Sequence, residues 1–328
     1  MSVDWKPFAK VVRAHQRFLL TSHIRPDCDA LGSELAMAGV LESMGKEVLI
    51  INGHPTPPNL AFIDPERRIK VINEDVQLAD LINTEVLIVL DTSAWAQLGP
   101  MGEVLRTIKA KKIVVDHHVG EDDLGAEFFK DTTAEAAGRL VIEAADYLDV
   151  AITPPIARAA FAAVATDTGW FRFGSTSSGT YALAAKLAAA GANPAEIYGD
   201  LYERDTLGRV RLRGLILSRT QSELDGQLVH TFVKKDDFSA CGALPSDTED
   251  VVNMTLAIAG TKVAVILVEQ ATGGFKISFR SRCHVDCNQL ASQFGGGGHK
   301  AAAGAFVAGN FDEAQSAVLN AARTALSG

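Results

Sequence analysis

The stretch RFLLTSHIRPDCDALGSELAMAGVLESMGKEVLIIN, residues 17–52, decides how the chain is read. An apolar run, RFLLTSH, gives way to a helically spaced pattern, DALGSELAMAGVLESMG, and then to a second apolar run, EVLIIN. Strand, helix and strand at this spacing make a βαβ unit whose strands lie parallel in one sheet. The alternation continues through EVLIVLD (85–91), the helix-like GPMGEVLRTIKA and KKIVVDHH (111–118). Helices are expected at about 131–150 and at 154–168, the second opening with prolines suited to a first turn. A third, SGTYALAAKLAAAGANP (178–194), runs into a Gly-x-Asn-Pro stop signal.

Beyond Gly226 the pattern changes. QLVHTFV, KVAVILVEQ and GFKISFRS read as strands, the last two joined by the turn-like QATGGF, with a helix pattern, DTEDVVNMTLAIAG, after the first. The expected fold is therefore α/β: a mostly parallel, doubly wound N-terminal sheet domain (1–194), a helical connector (195–225) and a smaller α+β C-terminal domain (226–328). A chain of 328 residues suits two domains, since single cores rarely grow past about 250. The start lacks a signal-peptide apolar run and no window of about 18 uninterrupted apolar residues occurs, so a soluble, cytoplasmic protein without a membrane partner is expected. Four scattered cysteines make no disulfide framework, and Cys283-His284-x-x-Cys287 offers only three zinc ligands.

The formal net charge is −9. From residue 226 onward there are 8 Lys+Arg against 9 Asp+Glu, so the acidity sits in the first two-thirds. A long duplex partner is not expected, because such binding draws its affinity from basic surface. Small anionic substrates remain compatible if cations supply the positive charge.

In an open α/β sheet, ligands bind beyond the carboxyl ends of the strands. RFLLTSH delivers His23 and, after Ile-Arg-Pro, Asp27 and Asp29; VLIVLD delivers Asp91; IVVDHH delivers Asp116, His117 and His118; AAFAAVATD ends in Asp167. Each alone has a commoner use: a lone Asp after a strand is usually a cap or turn residue, and Asp29 would cap a helix beginning at Ala30. Together they converge. Carboxylates at about 4 Å repel by roughly 4 kcal/mol per pair at an effective dielectric of 20, so such a group must take up protons or bind cations. Carboxylate with imidazole suits Mn²⁺, with Mg²⁺ or another divalent ion also compatible, and paired divalent ions are built for hydrolysing phosphate esters.

SHIRPDCDALGS (22–33), LDTS (90–93), DHH (116–118) and ATDTG (165–169) resemble, in order, the motifs of the DHH phosphoesterases, a family that includes RecJ exonucleases and manganese pyrophosphatases. FRSR (279–282) and FGGGGHKAAAG (294–304) resemble the DHH-associated substrate domain, and the compact length resembles the NrnA-type nano-RNases and pAp phosphatases. One departure is Cys28, where many relatives have glycine. The resemblance implies one metal ion held by His23, Asp27 and Asp91, and a second by Asp29, Asp91, His117 and Asp167, with Asp91 bridging. It implies that His118 faces the substrate phosphate, so that the catalytic set is His118, Asp91 and His117. Asp116 is expected to orient an imidazole by hydrogen bonding.

GGGGHK is not a Walker loop, because Lys300 is followed by Ala301. Four glycines in a row serve a tight turn or let backbone N–H groups approach an anion. Arg280, Ser281, Arg282, His299 and Lys300 would add donors, and the resemblance implies that Arg280, Ser281, Gly296, Gly297, Gly298 and His299 bind a terminal phosphate or nucleotide. Metals on one domain and an anion pocket on the other would select short fragments. Trp170, Phe171 and Phe173 are candidates for base stacking, packing being the commoner use of such a group.

The function expected is hydrolysis of oligoribonucleotides of about two to five nucleotides to mononucleotides, and of adenosine 3′,5′-bisphosphate to AMP. The alternatives are a phosphodiesterase for cyclic or linear dinucleotides (c-di-AMP, pApA) and, from another class, a catalytically inactive nucleotide sensor. The partners are short single-stranded RNA and small phosphorylated nucleotides, and the resemblance suggests a homodimer.

Overall fold

The computed structural model describes residues 3–248 and 250–328. Its chain divides into two compact units, 1–203 and 204–328, each with its own apolar core.

In the first unit a six-stranded sheet is built from β1 (Arg17–Thr21), β2 (Glu47–Asn52), β3 (Ile69–Val71), β4 (Val86–Leu90), β5 (Lys111–Asp116) and β6 (Glu127–Lys130). The order is β3-β2-β1-β4-β5-β6 and every pairing is parallel. Central β4 is buried at all five residues, as its unbroken apolar run requires when both faces are covered. Chain order reverses between β1 and β4, the switch point where an open sheet leaves a crevice at its carboxyl edge.

Helices α1 (Lys6–Ala14), α2 (Cys28–Ser43), α5 (Ala137–Tyr147) and α6 (Pro154–Asp167) contribute to one core, whereas α3 (Trp95–Leu98) and α4 (Met101–Thr107) contribute to another. Small residues let α2 and α6 approach closely. A Cβ on Gly32 would lie 2.5 Å from the Ala159 carbonyl oxygen, and one on Gly39 would lie 2.6 Å from the Ile156 side chain. Helices α7 (Ser178–Ala189) and α8 (Pro194–Tyr202) complete the unit, divided where Gly191 and Pro194 stand.

The second unit holds α9 (Leu207–Ser218) and a sheet of β7 (Gln221–Glu223), β8 (Leu228–Val233), β9 (Val263–Glu269), β10 (Phe275–Ser281), β11 (Gly297–Gly298) and β12 (Ala302–Val307). Its order is β11-β12-β10-β9-β8-β7, antiparallel except for β8 with β9. Helices α10 (Lys235–Cys241) and α11 (Val251–Leu256) come before β9, α12 (Cys287–Ser292) comes after β10, and α13 (Phe311–Ser327) closes the chain. Residues 195–225, expected as a connector, are thus shared: α8 lies in the first unit, α9 and β7 in the second. Among the described residues no helix is long and apolar enough to cross a membrane.

Candidate metal centre

The carboxyl edge of the first sheet gathers the acids and imidazoles. After β4, the Asp91 N–H still donates to the Val115 carbonyl at 3.0 Å, completing the ladder, and the residue then turns left-handed (φ 61°). That conformation costs a non-glycine residue about 1–2 kcal/mol. It aims a buried carboxylate between two imidazoles: His23 Nε2 lies 3.5 Å from Oδ2 and His117 Nε2 lies 3.3 Å from Oδ1. Asp91 Oδ1 is buried without a hydrogen-bond partner.

Both imidazoles are set by backbone carbonyls. His23 Nδ1 meets the Ile24 carbonyl at 3.0 Å and His117 Nδ1 meets that of Ala134 at 3.1 Å, leaving each Nε2 toward the acids. His117 Nε2 is also 3.7 Å from Asp29 Oδ2 and 3.6 Å from Asp167 Oδ2, while His23 Nε2 is 3.9 Å from Asp27 Oδ1. Ligand atoms of His23, Asp27 and Asp91 lie within 4.8 Å of one another, as do those of Asp29, His117 and Asp167, and those of Asp91, His117 and His118. A carbonyl-anchored Nδ1–H with a free Nε2 is the usual state of a metal-ligating histidine. With the unpartnered Asp91 oxygen and the crowding of acids, the donor set fits divalent ions.

Asp27, not Asp29, caps α2: its carboxylate accepts the Ala30 N–H at 3.0 Å, and the helix begins at Cys28. Asp29 is gripped from elsewhere. Ala137 N–H donates to Oδ2 at 2.7 Å, Gly138 N–H to Oδ1 at 3.0 Å and the Ser33 hydroxyl to Oδ1 at 3.1 Å, so the first turn of α5 receives this anion. Cys28 lies in the apolar core, where burial pushes its thiol up to about 12.

The electrostatics follow. Burial alone would depress the imidazoles, but the Asp91 carboxylate outweighs it and holds His23 up to about 9 and His117 up to about 10. Burial, then Asp91 and Asp167, pushes Asp29 well above the usual carboxylate range. Burial raises Asp167 to about 6 against the pull of His117. For Asp91 itself, His117 and His23 override burial and keep it low. Without cations, protons on the imidazoles stand in for the positive charge the acids demand.

His118 is arranged differently. Its Nδ1 meets Asp116 Oδ1 at 2.8 Å, which leaves Nε2 uncommitted on a half-exposed ring. Asp116 is buried and also accepts from the His118 N–H at 3.1 Å and from the Ser93 hydroxyl at 2.7 Å, with the Lys130 ammonium paired to it at 3.1 Å. Burial is overcome by these partners, holding Asp116 down to about 2, and the Asp116 contact raises His118. The imidazole that Asp116 orients is therefore that of His118.

Sequence reasoning missed the Ser93–Lys130 support of Asp116 and the Ala137–Gly138 cradle of Asp29. It also missed a buried network behind β1. Glu34 accepts the Asn52 amide at 2.9 Å, Asn52 Oδ1 accepts the Ser22 N–H at 3.0 Å, and Glu34 Oε1 has no partner. Burial pushes Glu34 up to about 7. A carboxylate amid the small and apolar residues of α2 was the available signal.

In the second unit Arg280 donates through Nε to Asn253 Oδ1 at 3.1 Å. Ser281 is buried, its hydroxyl 3.5 Å from Cys283 Sγ, and strand alternation sets it on the opposite face of β10 from Arg280. Gly297 and Gly298 form β11, and His299 closes a tight turn by donating its N–H to the Ala302 carbonyl at 2.7 Å. Two of these glycines are required by packing: a Cβ on Gly296 would lie 2.2 Å from the Gly304 carbonyl, and one on Gly298 would lie 2.7 Å from that of Ala302. Arg282 is committed to the Thr261 and Ile258 carbonyls, at 2.5 and 2.8 Å, so the cation expected there is already in use.

Comparison with known proteins completes the picture. Residues 17–166 match the N-terminal domain of the DHH family and residues 228–326 match the DHHA1 domain. A Thermus thermophilus protein named bifunctional oligoribonuclease and PAP phosphatase NrnA is 30% identical over 312 residues, covering 94% of this chain and 89% of that one. The chain belongs to the DHH family. As a DHH protein it is a hydrolase. A Bacillus subtilis protein of the same name is 28% identical, covering 93% of each chain. The solved structure of an exopolyphosphatase-related protein from Bacteroides fragilis superposes with a TM-score of 0.87 at 26% identity, covering 98% of this chain and 95% of that one. An exonuclease RecJ bound to manganese, at 15% identity, 98% and 96% coverage and a TM-score of 0.56, shares the DHH fold.

Proposed function

We propose that this DHH protein is a metal-dependent phosphoesterase that hydrolyses short oligoribonucleotides to mononucleotides and removes the 3′-phosphate from adenosine 3′,5′-bisphosphate. One observation carries the reading: a buried Asp91 carboxylate where the Nε2 atoms of His23 and His117 meet Asp27, Asp29 and Asp167, with ligand atoms in groups of three within 4.8 Å of one another. The substrates are those in the names of the Thermus and Bacillus relatives.

In this reading His23, Asp27 and Asp91 hold one ion, and Asp29, Asp91, His117 and Asp167 a second, with Mn²⁺ the best match to mixed carboxylate and imidazole donors. The chemistry supplied by divalent ions held there is polarisation of phosphoryl oxygens and acidification of water. His23 and His117 would hold a cation as neutral imidazoles through Nε2. Asp29, locked by α5, offers one oriented oxygen. His118 donates from Nε2 to the phosphate or the leaving oxygen, while Asp116 fixes its tautomer through Nδ1. Arg280, Ser281, Gly296, Gly297, Gly298 and His299 are the candidates for a terminal phosphate, the glycine run offering backbone N–H groups.

Product release settles the matter for pApA, a five-nucleotide and a twenty-four-nucleotide RNA, adenosine 3′,5′-bisphosphate, c-di-AMP and pyrophosphate, each with Mn²⁺, Mg²⁺ or EDTA and beside Asp91→Ala. Mononucleotides from the short RNAs and AMP from the bisphosphate, lost with EDTA and with the variant, are expected. Dominant turnover of c-di-AMP or of the long RNA would overturn the substrate assignment. Nucleotide binding without turnover under any metal would overturn the enzyme roles.

A further inference from the structure

The segment after Asp167 is strained in a way that the metal centre does not require. Gly169, Trp170 and Phe171 are consecutively left-handed, with φ of 57°, 59° and 64°. Two aromatic residues in that region each cost about 1–2 kcal/mol. Strain of this kind persists only where surrounding structure over-determines it. Here Thr168 does so: its hydroxyl accepts the Phe171 N–H at 3.1 Å, and its carbonyl accepts the Arg172 and Phe173 N–H groups, both at 3.0 Å.

The turn sorts the three aromatic residues. Trp170 packs edge-on against Phe161, Tyr198 and Tyr202, with centroids 6.0, 5.0 and 5.9 Å away. Phe171 stacks on Tyr181 at 5.7 Å and meets Phe161 at 5.9 Å. Both are spent on packing. Phe173 has no ring partner among the described residues and is 54% exposed. Its ring lies directly over Gly169, where a Cβ would come within 2.4 Å of two ring carbons. Gly169 is two residues from Asp167, so the α-carbons are at most about 7 Å apart. A rigid turn thus holds an exposed aromatic ring over Gly169, two residues along the chain from Asp167.

Resting on the phosphoesterase reading above, we propose that Phe173 is the platform on which the nucleobase beside the scissile phosphate stacks, making the site selective for nucleotides over base-free phosphate esters. Base–aromatic stacking is tolerant of base identity, as a degrader of mixed fragments needs.

The test uses the full-length, Mn²⁺-loaded protein with pApA and its counterpart carrying hydrogen in place of both bases. Phe173→Ala and Phe173→Leu should raise KM for pApA about 10-fold or more, with kcat within about twofold, and Phe173→Tyr should restore the wild-type KM. The base-free compound should be handled alike by all four proteins, and AMP binding by calorimetry in EDTA should weaken in step with KM. A Leu variant with wild-type KM, or an Ala variant equally impaired on both compounds, would overturn the stacking role. If the wild type hydrolyses neither compound, the phosphoesterase reading falls while AMP binding still decides Phe173: equal affinity in all four proteins refutes it, and loss in Ala and Leu alone upholds it.

Discussion

Asp116 and Glu34 are both buried acids, and their environments give them opposite behaviour. Asp116 accepts from His118 and Ser93 and pairs with Lys130, and stays ionised. Asp116→Asn keeps the shape but sets an amide against the His118 N–H or turns the ring. The rate should fall about 10- to 100-fold while Mn²⁺ affinity, measured by calorimetry, stays within about threefold, because Asp116 touches no proposed ligand atom. In Glu34 burial outweighs the pull of Asn52 and Ser22 and raises the carboxyl to about 7. In the unfolded chain it titrates near about 4.3, so folding takes up a proton between the two values. Its contribution is fully present below the unfolded pKa and is lost as pH rises through about 7. Glu34→Gln, which cannot ionise, should therefore gain on the order of 3 kcal/mol relative to wild type between pH 4 and pH 8, read as urea midpoints. A gain that is equal at both pH values would show that Glu34 does not titrate on folding.

At the scale of elements, the site depends on how closely three helices approach. Gly138 opens α5, where a Cβ would lie 2.7 Å from Ala163 Cβ and 3.5 Å from Asp29 Oδ1. Gly138→Ala should cost about 1–3 kcal/mol by overpacking. It should also weaken Mn²⁺ binding, because pushing α5 off α6 withdraws the N–H groups that hold Asp29. Gly214, inside α9 with nothing within 4 Å of an added Cβ, is the contrast: Gly214→Ala should stabilise by about 0.5–1 kcal/mol without touching metal affinity. Chemical unfolding with metal titration checks both. Element bounds show the same logic. The helix expected at about 131–150 spans Ala137–Tyr147, because Asp131 N–H bonds the Asp116 carbonyl and the Ala134 carbonyl receives His117. Those residues serve the site before the helix can start.

For the whole molecule, separate cores in 1–203 and 204–328 predict two unfolding transitions in calorimetry, with Mn²⁺ raising only one. At about 100 times Kd the gain is about 2.7 kcal/mol, and Asp91→Ala should abolish it. A single transition raised by metal would mean the units unfold as one. The sequence by itself determined the parallel sheet, since buried β-branched runs alternating with helices have few other solutions, and it determined which strand tips carry acids and imidazoles. Short β3, β6, β7 and β11 and the alanine-rich β12 were not legible, because three or four residues, paired glycines or an alanine run carry little strand signal until neighbours cover them. Nor were the partners of each charge: that Asp27 caps α2, that α5 cradles Asp29 and that Lys130 reaches Asp116. A residue type declares what it can bond, but which donor meets it depends on the folded chain: Ala30 three residues from Asp27, Lys130 fourteen from Asp116 and Ala137 108 from Asp29 are all brought to about 3 Å only by local turns and packing.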